Sequence, residues 1–516
     1  MKKLVLVLLT AGAVVAVALI PPGAPVVAAG SGFGTAVSAV RQSSWQTNAP
    51  VNAIAIAGNT VFVGGRFTRV RPPGKPAGQG EAVRTYLAAF SRSTGAASSF
   101  APKLNGTVWS IATSLDQKWI VVGGDFTTVN GQPRNRIAMF NAATGALSSF
   151  RPSVNSRVKA VAIYGNSVFI GGSFGGVGGS GRKLYETPRN RLAALTLNGG
   201  LVMPWNPNAN DDVYAIDVAD NGTKVYAGGP FTSVRGQRHN TLVALNNSTG
   251  IPFAMPAAAA IPQPTALCTT RVKDIDTYGS KVFVANGGDG RGCYDGVLAA
   301  DIATGKLLWQ SKCLGATEAV KAIGSWVYKG SHAHDCSADD PNYFTDGTGT
   351  HFLLAHSSGN GRLGPWFPNT DADPNSTTKV GPLAMAGTAT DLWVGGDFLK
   401  VNGYGQQGVT RFTNAAPGAK APAPAAPAAK SPVTGKVGLS FRTVVDPDNI
   451  TLTYKLYQGS RLVGMWNRNT YKWQASQLVT YTDTGAKSGQ TVSYRVEVLD
   501  GASVVKSATS APVTVR

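Results

Sequence analysis

Runs of four to six apolar and β-branched residues alternate along most of this chain with glycine-centred turns, and the alternation itself repeats. Four copies of the turn read nearly alike: Gly64-Gly65-Arg66-Phe67, Gly123-Gly124-Asp125-Phe126, Gly171-Gly172-Ser173-Phe174 and Gly395-Gly396-Asp397-Phe398. Gly228-Gly229-Pro230-Phe231 is a fifth, and Ala285-Asn286 and Gly330-Ser331 hold the same place in two decayed copies. The copies lie 45 to 65 residues apart, about 55 on average, a period that points to a propeller of small sheets. Within the second unit, strands are predicted at 108–112, 119–122, 136–140 and 147–150, parted by Asp116, by the double glycine with Asn130-Gly131, and by Thr144-Gly145. A sheet this small cannot bury both faces alone, but stacked around an axis each sheet covers the next.

The ends of the repeat region predict how the ring closes. Each unit ends near an aromatic residue, at Phe100, Phe150, Trp205, Phe253, Trp309 and Trp366, and the last unit lacks one. Ser43-Ser44-Trp45, ahead of the first strand, has the form of Ser148-Ser149-Phe150. The expectation is a seven-bladed β-propeller over residues 30–416, closed by an N-terminal strand that completes the last blade and covers its open edge. In its order of motifs, fullest at Gly123-Gly124-Asp125-Phe126, Asn130-Gly131, Arg134-Asn135-Arg136 and Thr144-Gly145, the unit resembles the delta-60 type β-propeller repeat of secreted bacterial proteins. That resemblance implies an extracellular propeller, often with appended β-sandwich modules, and carries no catalytic residues with it.

The remaining segments fit export. Lys2-Lys3 followed by an apolar run at 4–20 and small residues at Val27-Ala28-Ala29 reads as a signal peptide over 1–29, with an uncleaved anchor as the alternative. Residues 417–432 are rich in proline and alanine and read as a linker. Over 433–516 short β runs return. Tyr481-Thr482-Asp483-Thr484-Gly485, Tyr494-Arg495-Val496 and Asp500-Gly501 resemble a fibronectin type III sandwich, with Phe441 where that family more usually has tryptophan. The fold class expected is therefore all-β, a propeller followed by a β-sandwich. All four cysteines fall in units five and six, and their matching placement favours Cys268 with Cys293 and Cys313 with Cys336. Loops of that length give roughly 3 to 3.5 kcal/mol each in the chain-entropy estimate.

Charge narrows the partners. Lys plus Arg number 47 against 27 Asp plus Glu, a formal charge of +20. On an exported chain this suits extracellular polysaccharide, a cell-wall polyanion, an anionic lipid surface or another surface protein, with plain solubility as the alternative reading. Nucleic acid is not expected, because no reader motif accompanies the charge. The protein is expected to be a secreted monomer, possible wall association included, with no membrane span once the leader is gone.

Candidate chemistry is sparse. His332-Ala333-His334-Asp335-Cys336 places two imidazoles at alternate positions, so that on a strand His332 and His334 would share a face and, with Asp335, could hold a metal; His351 and His356 follow. Asp371-Ala372-Asp373 and Asp446-Pro447-Asp448-Asn449 offer oxygens for calcium, but turn chemistry explains both as well. No cofactor is expected beyond calcium or another divalent metal at such places. The run from Ala299 to Trp309 matches the docking motif of quinoprotein dehydrogenase blades, occurs once, and reads as blade packing. With no nucleophile elbow and no His-Glu-x-x-His, the reading is a non-catalytic binding or scaffold protein. The alternative is a glycosidase or lyase with its site at the propeller's central mouth, which would need two facing carboxylates.

Overall fold

The structure, a computed structural model, describes residues 35–289, 293–375, 379–415, 418–501 and 503–516. The expected signal peptide lies outside these. Among the described residues the one helical element is a 3-10 turn at Pro256–Ala260, and everything else regular is strand. No helix there is long and apolar enough to cross a membrane.

The repeat unit folds as an antiparallel sheet. In chain order the first three strands of successive sheets are Val51–Ala57, Thr60–Gly65 and Leu87–Ser91; Val108–Thr113, Trp119–Gly124 and Ile137–Asn141; Val158–Tyr164, Ser167–Gly172 and Leu192–Thr196; and Ala215–Val218, Lys224–Gly228 and Leu242–Asn246. They continue as Arg271–Tyr278, Lys281–Gly287 and Gly296–Asp301; Thr317–Ile323, Trp326–Ala333 and His351–Ser357; and Gly381–Thr388, Asp391–Asp397 and Val409–Thr413. A fourth segment joins through single bridges at Ala97, Leu147, Val202 and Leu363, or as the strands Pro252–Phe253 and Leu307–Gln310. Each first strand lies against the first strand of the next sheet, and Gly381–Thr388 lies against Val51–Ala57, so the succession returns to its start.

The last sheet takes its fourth strand from the N-terminus: Arg41 pairs with Phe412 and Gln42 with Arg411. The pairing falls just upstream of the expected Ser43–Trp45. Trp45 instead packs into the core shared by the first and last sheets, three residues beyond the strand, as Phe150 lies three beyond Leu147. Arg411 latches the join, donating through Nε to Ser43 O at 2.9 Å and through a terminal nitrogen to Arg92 O at 2.7 Å.

Two glycine devices let the sheets approach. A methyl group on the first glycine of each double turn would strike the next sheet's innermost strand: 2.2 Å from Val108 at Gly64, 2.5 Å from Val158 at Gly123, and 2.5 Å from Val51 at Gly395. The turn before the fourth segment holds the second device. Gly145 has φ +72°, and a methyl there would sit 2.8 Å from the Phe100 ring of the preceding sheet. Gly250 faces Trp205, Gly361 faces Trp309, and Gly95 faces Ser43 and Ser44 of the N-terminal strand in the same way. Before Gly305 the seat is filled by Ala254 and Met255, not by Phe253, which is 36% exposed; the pairing of Leu245 with Pro252 sets the seat three residues on, at Met255.

The Arg-Asn-Arg motif is structural. Arg134 forks onto Pro133 O and Ser148 O at 2.8 and 2.7 Å, tying the third strand to the fourth segment. Arg136 follows at φ +72° and donates to Asp125 O. Arg84 and Arg189 repeat the first role, and Arg191 the second.

Downstream, two sheets share one core. Ala428–Val433, Lys436–Arg442 and Leu478–Asp483 form one; Arg461–Asn469, Thr451–Gln458, Tyr494–Leu499 and Val504–Lys506 form the other. Leu452, Tyr454 and Leu456 alternate inward, meeting Val437, Phe441 and Val496. The linker boundary at 432 needs correcting, since 428–433 is a strand paired with 436–440 and Ala421 is already buried in this core. The apparent linker composition hid an edge strand, Ala428-Ala429-Lys430-Ser431-Pro432-Val433, in which proline is tolerated.

Gly145→Ala is expected to cost roughly 1–2 kcal/mol for the left-handed backbone and roughly 1–3 kcal/mol more for overpacking against Phe100. Gly131→Ala, at φ +76° with open space around it, should bear the backbone cost alone. Urea unfolding of both variants measures the gap, and equal losses would count against the aromatic seat.

Candidate functional site

Every innermost strand but one carries a β-bulge at its start, between Val51 and Ala53, Val108 and Ser110, Val158 and Ala160, Val272 and Asp274, Thr317 and Ala319, and Pro382 and Ala384. A bulge re-aims the extra side chain. Those residues are Asn52, Trp109, Lys159, Lys273, Glu318 and Leu383, with Tyr214 in the matching place in the fourth sheet, and together they line one cavity of about 340 Å³. A second cavity of about 270 Å³ continues inward from it, sharing Ile54, Thr113, Asp274 and Met385.

The mouth is basic and aromatic on one side. Trp109 has the Arg66 guanidinium 5.2 Å and the Arg157 guanidinium 4.9 Å from its ring centre, and its Nε1 donates to Asp125 Oδ2 at 2.8 Å. Arg157 is itself oriented by Asp125 Oδ1 at 2.7 Å. Next to these, Lys159 lies 4.1 Å over the Tyr214 ring and pairs with Asp212 at 2.8 Å. Lys273 and Glu318 pair at 2.9 Å.

Deeper in, three aspartates stand on adjacent inner strands, and they act as staples. Asp274 accepts from Ile275 N and, across to the next sheet, Val320 N at 3.0 Å; Asp276 accepts from Ala322 N at 2.7 Å and Lys321 Nζ at 2.5 Å. Asp217 accepts from Thr277 N at 2.6 Å. Both oxygens of Asp274 and of Asp276 are engaged, so this is not a pair of carboxyls facing across an empty cleft. Burial pushes the Asp274 carboxyl up to about 7, and Asp217 is raised by burial and then by the Asp276 charge.

The histidines part company. His332 stands where Arg66 and Asp125 stand in other sheets, and burial lowers its pKa against the pull of Asp295 and Glu318. His334 is close by, the two rings 6.5 Å apart and nearly parallel, as their alternation implied, but its Nδ1 bonds Asp346 at 2.5 Å. Asp335 turns away into its own loop, accepting from Ser337 N and Oγ at 2.8 and 2.6 Å. Among the described residues no three His, Cys, Asp or Glu side chains are placed to hold a metal ion. His356 is fully buried, donates to Gly361 O at 2.8 Å and stacks on Trp309, and burial drives it down to about 3. His351 packs on Phe344 and Trp473.

The decayed units carry the expected bridges, Cys268–Cys293 and Cys313–Cys336. The loop after Cys336 sends Tyr343 and Phe344 against Tyr471 and Trp473 of the C-terminal sheets, and Trp473 Nε1 donates to Asn342 O at 3.0 Å. The histidine segment is thus the root of a docking loop. Asp371 is explained too. It accepts from Leu399 N and Lys400 N, as Asn48, Asn105, Asn155 and Asn210 do from the corresponding amides of their sheets. The spacing of those asparagines, three before Val51, Val108, Val158 and Val213, was the signal sequence reading passed over. The bulge residues had no signal, because apart from Lys159 and Lys273 they share no residue type.

A larger hollow of about 480 Å³ lies where the first and last sheets meet, but its Arg92, Asp391 and Arg411 are spent on one another and on backbone.

Residues 118–147 match the family described as domain of unknown function (DUF5122) beta-propeller. The fold is a β-propeller. Solved structures with which this propeller aligns include the computationally designed Ika8 protein, at 12% identity and TM-score 0.38 over 73% of this chain and 99% of that one. A chain of the mitotic checkpoint complex aligns at 12% identity and 0.43 over 76% and 98%, and the RRP9 WD40 repeats at 10% and 0.44 over 72% and 99%. No curated protein matches the chain.

Unfolded aspartate titrates near about 4, below the folded Asp274 value, so its stabilising protonated form is complete below about pH 4 and is lost as pH rises through about 7. Asp274→Asn, which keeps an acceptor and cannot ionise, should therefore melt no higher than the parent in acid and gain on it steadily towards pH of about 8. A melting difference that ignores pH would contradict the burial of this carboxyl.

Proposed function

We propose that the protein is an exported, non-catalytic binding protein whose propeller mouth recognises an anionic extracellular polymer, a polysaccharide or cell-wall polyanion. In this reading the repeats are of the delta-60 type, the ring has seven blades closed by Arg41–Gln42, and the C-terminal sheets are a fibronectin type III sandwich. Support for the blade count and closure comes from the succession of inner strands that returns to its start and from the pairing of Arg41 with Phe412. Support for the sandwich comes from its three-stranded and four-stranded sheets over one core. The two disulfides fit an oxidising, extracellular setting.

The observation that carries the binding reading is the ring of bulge residues, with Trp109 beside Arg66 and Arg157 and Lys159 over Tyr214. Arg66 and Arg157, both held over the Trp109 ring, are cationic donors at this cavity, and acidic sugars or phosphates are what such donors bind. Diversity around the ring also suits one extended ligand reading several different side chains. The carbohydrate-active alternative is disfavoured by the engagement of both oxygens of Asp274 and Asp276 in backbone and lysine contacts.

Retention on immobilised anionic polysaccharide, compared with a neutral one, tests the reading. The protein should bind the anionic matrix and release as salt rises, and Trp109→Ala with Arg157→Ala should weaken binding by roughly tenfold or more, the size of one lost charge or cation–π contact. Equal retention on both matrices, or by the variant, would overturn it. Release of soluble sugar that stops in Glu318→Gln would turn the assignment to an enzyme.

A further inference from the structure

At the junction of propeller and C-terminal sheets, the loop between Lys436–Arg442 and Thr451–Gln458 buries Asp446 and Asp448 completely, each 0% exposed. Asp446 Oδ1 accepts from Asp448 N at 2.9 Å, an ordinary turn. Its other oxygen is different: Oδ2 is buried and has no hydrogen-bond partner. The two carboxylates converge, since the Asn449 side-chain nitrogen lies 3.3 Å from Asp446 Oδ1 and 3.1 Å from Asp448 Oδ1. Among the described residues no Lys, Arg or His pairs with either.

We infer that this loop holds a calcium ion between Asp446 and Asp448, fastening the C-terminal sheets to the propeller. Two adjacent carboxylates in a dry site repel each other and each loses hydration, so the pair is tolerable only with a shared positive charge. That charge is a proton or a cation. Without a cation Asp446 would keep a proton, being pushed up to about 8 by burial and by Asp448. A cation satisfies the orphaned Oδ2 and both charges at once. Neutral groups at hand are the Ser38 hydroxyl, 3.3 Å from Asp448 Oδ2, and the Asn449 side-chain amide, which meets both Oδ1 atoms through its nitrogen. Two carboxylates completed by amide, hydroxyl, carbonyl and water oxygens suit calcium, and a site with so few charges suits the weak range of extracellular modules.

The position gives the ion a task. Asp448 Oδ2 also receives Ala419 N at 2.8 Å from the segment leaving the propeller, Ser38 precedes the closing strand, and Pro447 O receives Phe367 N at 2.7 Å from the sixth sheet. Three separate stretches of chain therefore meet at this loop. Calcium there would make the docking of the C-terminal sheets conditional on the medium. This inference stands apart from polymer recognition, with which it shares no residue.

Thermal unfolding of the whole secreted chain in about 1 mM calcium and in chelator is the test, because a ligand of the folded state raises the melting temperature by mass action. Calcium should raise it by several degrees and slow proteolysis within 418–427, and both effects should vanish in Asp446→Asn and in Asp448→Asn. The inference is overturned if parent melting and cleavage ignore calcium and chelator alike, with Asp446→Asn as stable as the parent at neutral pH, which marks a shared proton. It is equally overturned if the variants keep the full calcium response, which places the ion elsewhere.

Discussion

Phe100 lies edge-on between Phe62 of its own sheet and Phe140 of the next, 5.4 and 5.5 Å from their centres, and rests on Gly145 of the neighbouring turn. Trp205 repeats the arrangement, with Phe169 at 5.1 Å and its Nε1 on Asn246 O of the following sheet. This aromatic seat is the constraint on which the other features rest. It needs a glycine in the left-handed region, because a side chain there would displace the ring and part the two sheets. Once the outer edges are locked, the inner strands have nowhere to go but against one another. Only then do the double glycines matter, since they remove the side chains that would hold those inner strands apart.

Locked inner strands produce the mouth as a by-product. The second glycine of the intact turns lies over the backbone just before the bulge, 2.1 Å from Pro50 O at Gly65 and from Arg157 O at Gly172 by the measure of an added methyl, while the bulge itself persists where Asn286 and Ser331 take that glycine's place. Each bulge ejects one residue towards the axis, and nothing about packing dictates what it is. That freedom is why six kinds of side chain stand at its seven positions and why the site can be specific while the scaffold is repetitive. Below the mouth the freedom ends. Asp217, Asp274 and Asp276 reach neighbouring amides, as Ser110 does for Val161 N, so the acids tie blades together, and burial raises the protonation of Asp217 and Asp274.

Units five and six both depart from the repeat, and unit six also supports the C-terminal sheets. Where the double glycine is lost, disulfides hold the loops, and the loop beyond Cys336 offers Tyr343 and Phe344 to Trp473. The C-terminal sheets are consequently docked, with Phe367 and His351 in the same aromatic cluster, rather than tethered on a spacer.

The repeat, its strands, the Cys268–Cys293 and Cys313–Cys336 pairings and the use of an N-terminal segment to complete the last sheet were all legible in the sequence. Each rests on local chemistry: alternation, turn glycines and spacing within one or two units. The closing strand was displaced by only a few residues, because Trp45 marks the seat and not the strand. What the sequence left hidden depends on which units become neighbours. Trp109 lies 43 residues from Arg66 and 48 from Arg157, and Asp448 meets Ser38 across 410 residues. His332 and His334 share a face as their spacing implied, yet Asp335 goes to Ser337 because the backbone turns where the strand ends. Composition disguised 428–433 as linker, since only pairing with 436–440 makes that stretch a strand. Local pattern determines the elements, whereas contacts between residues far apart in the chain exist only after the sheets have packed, and the mouth and the junction are made of such contacts.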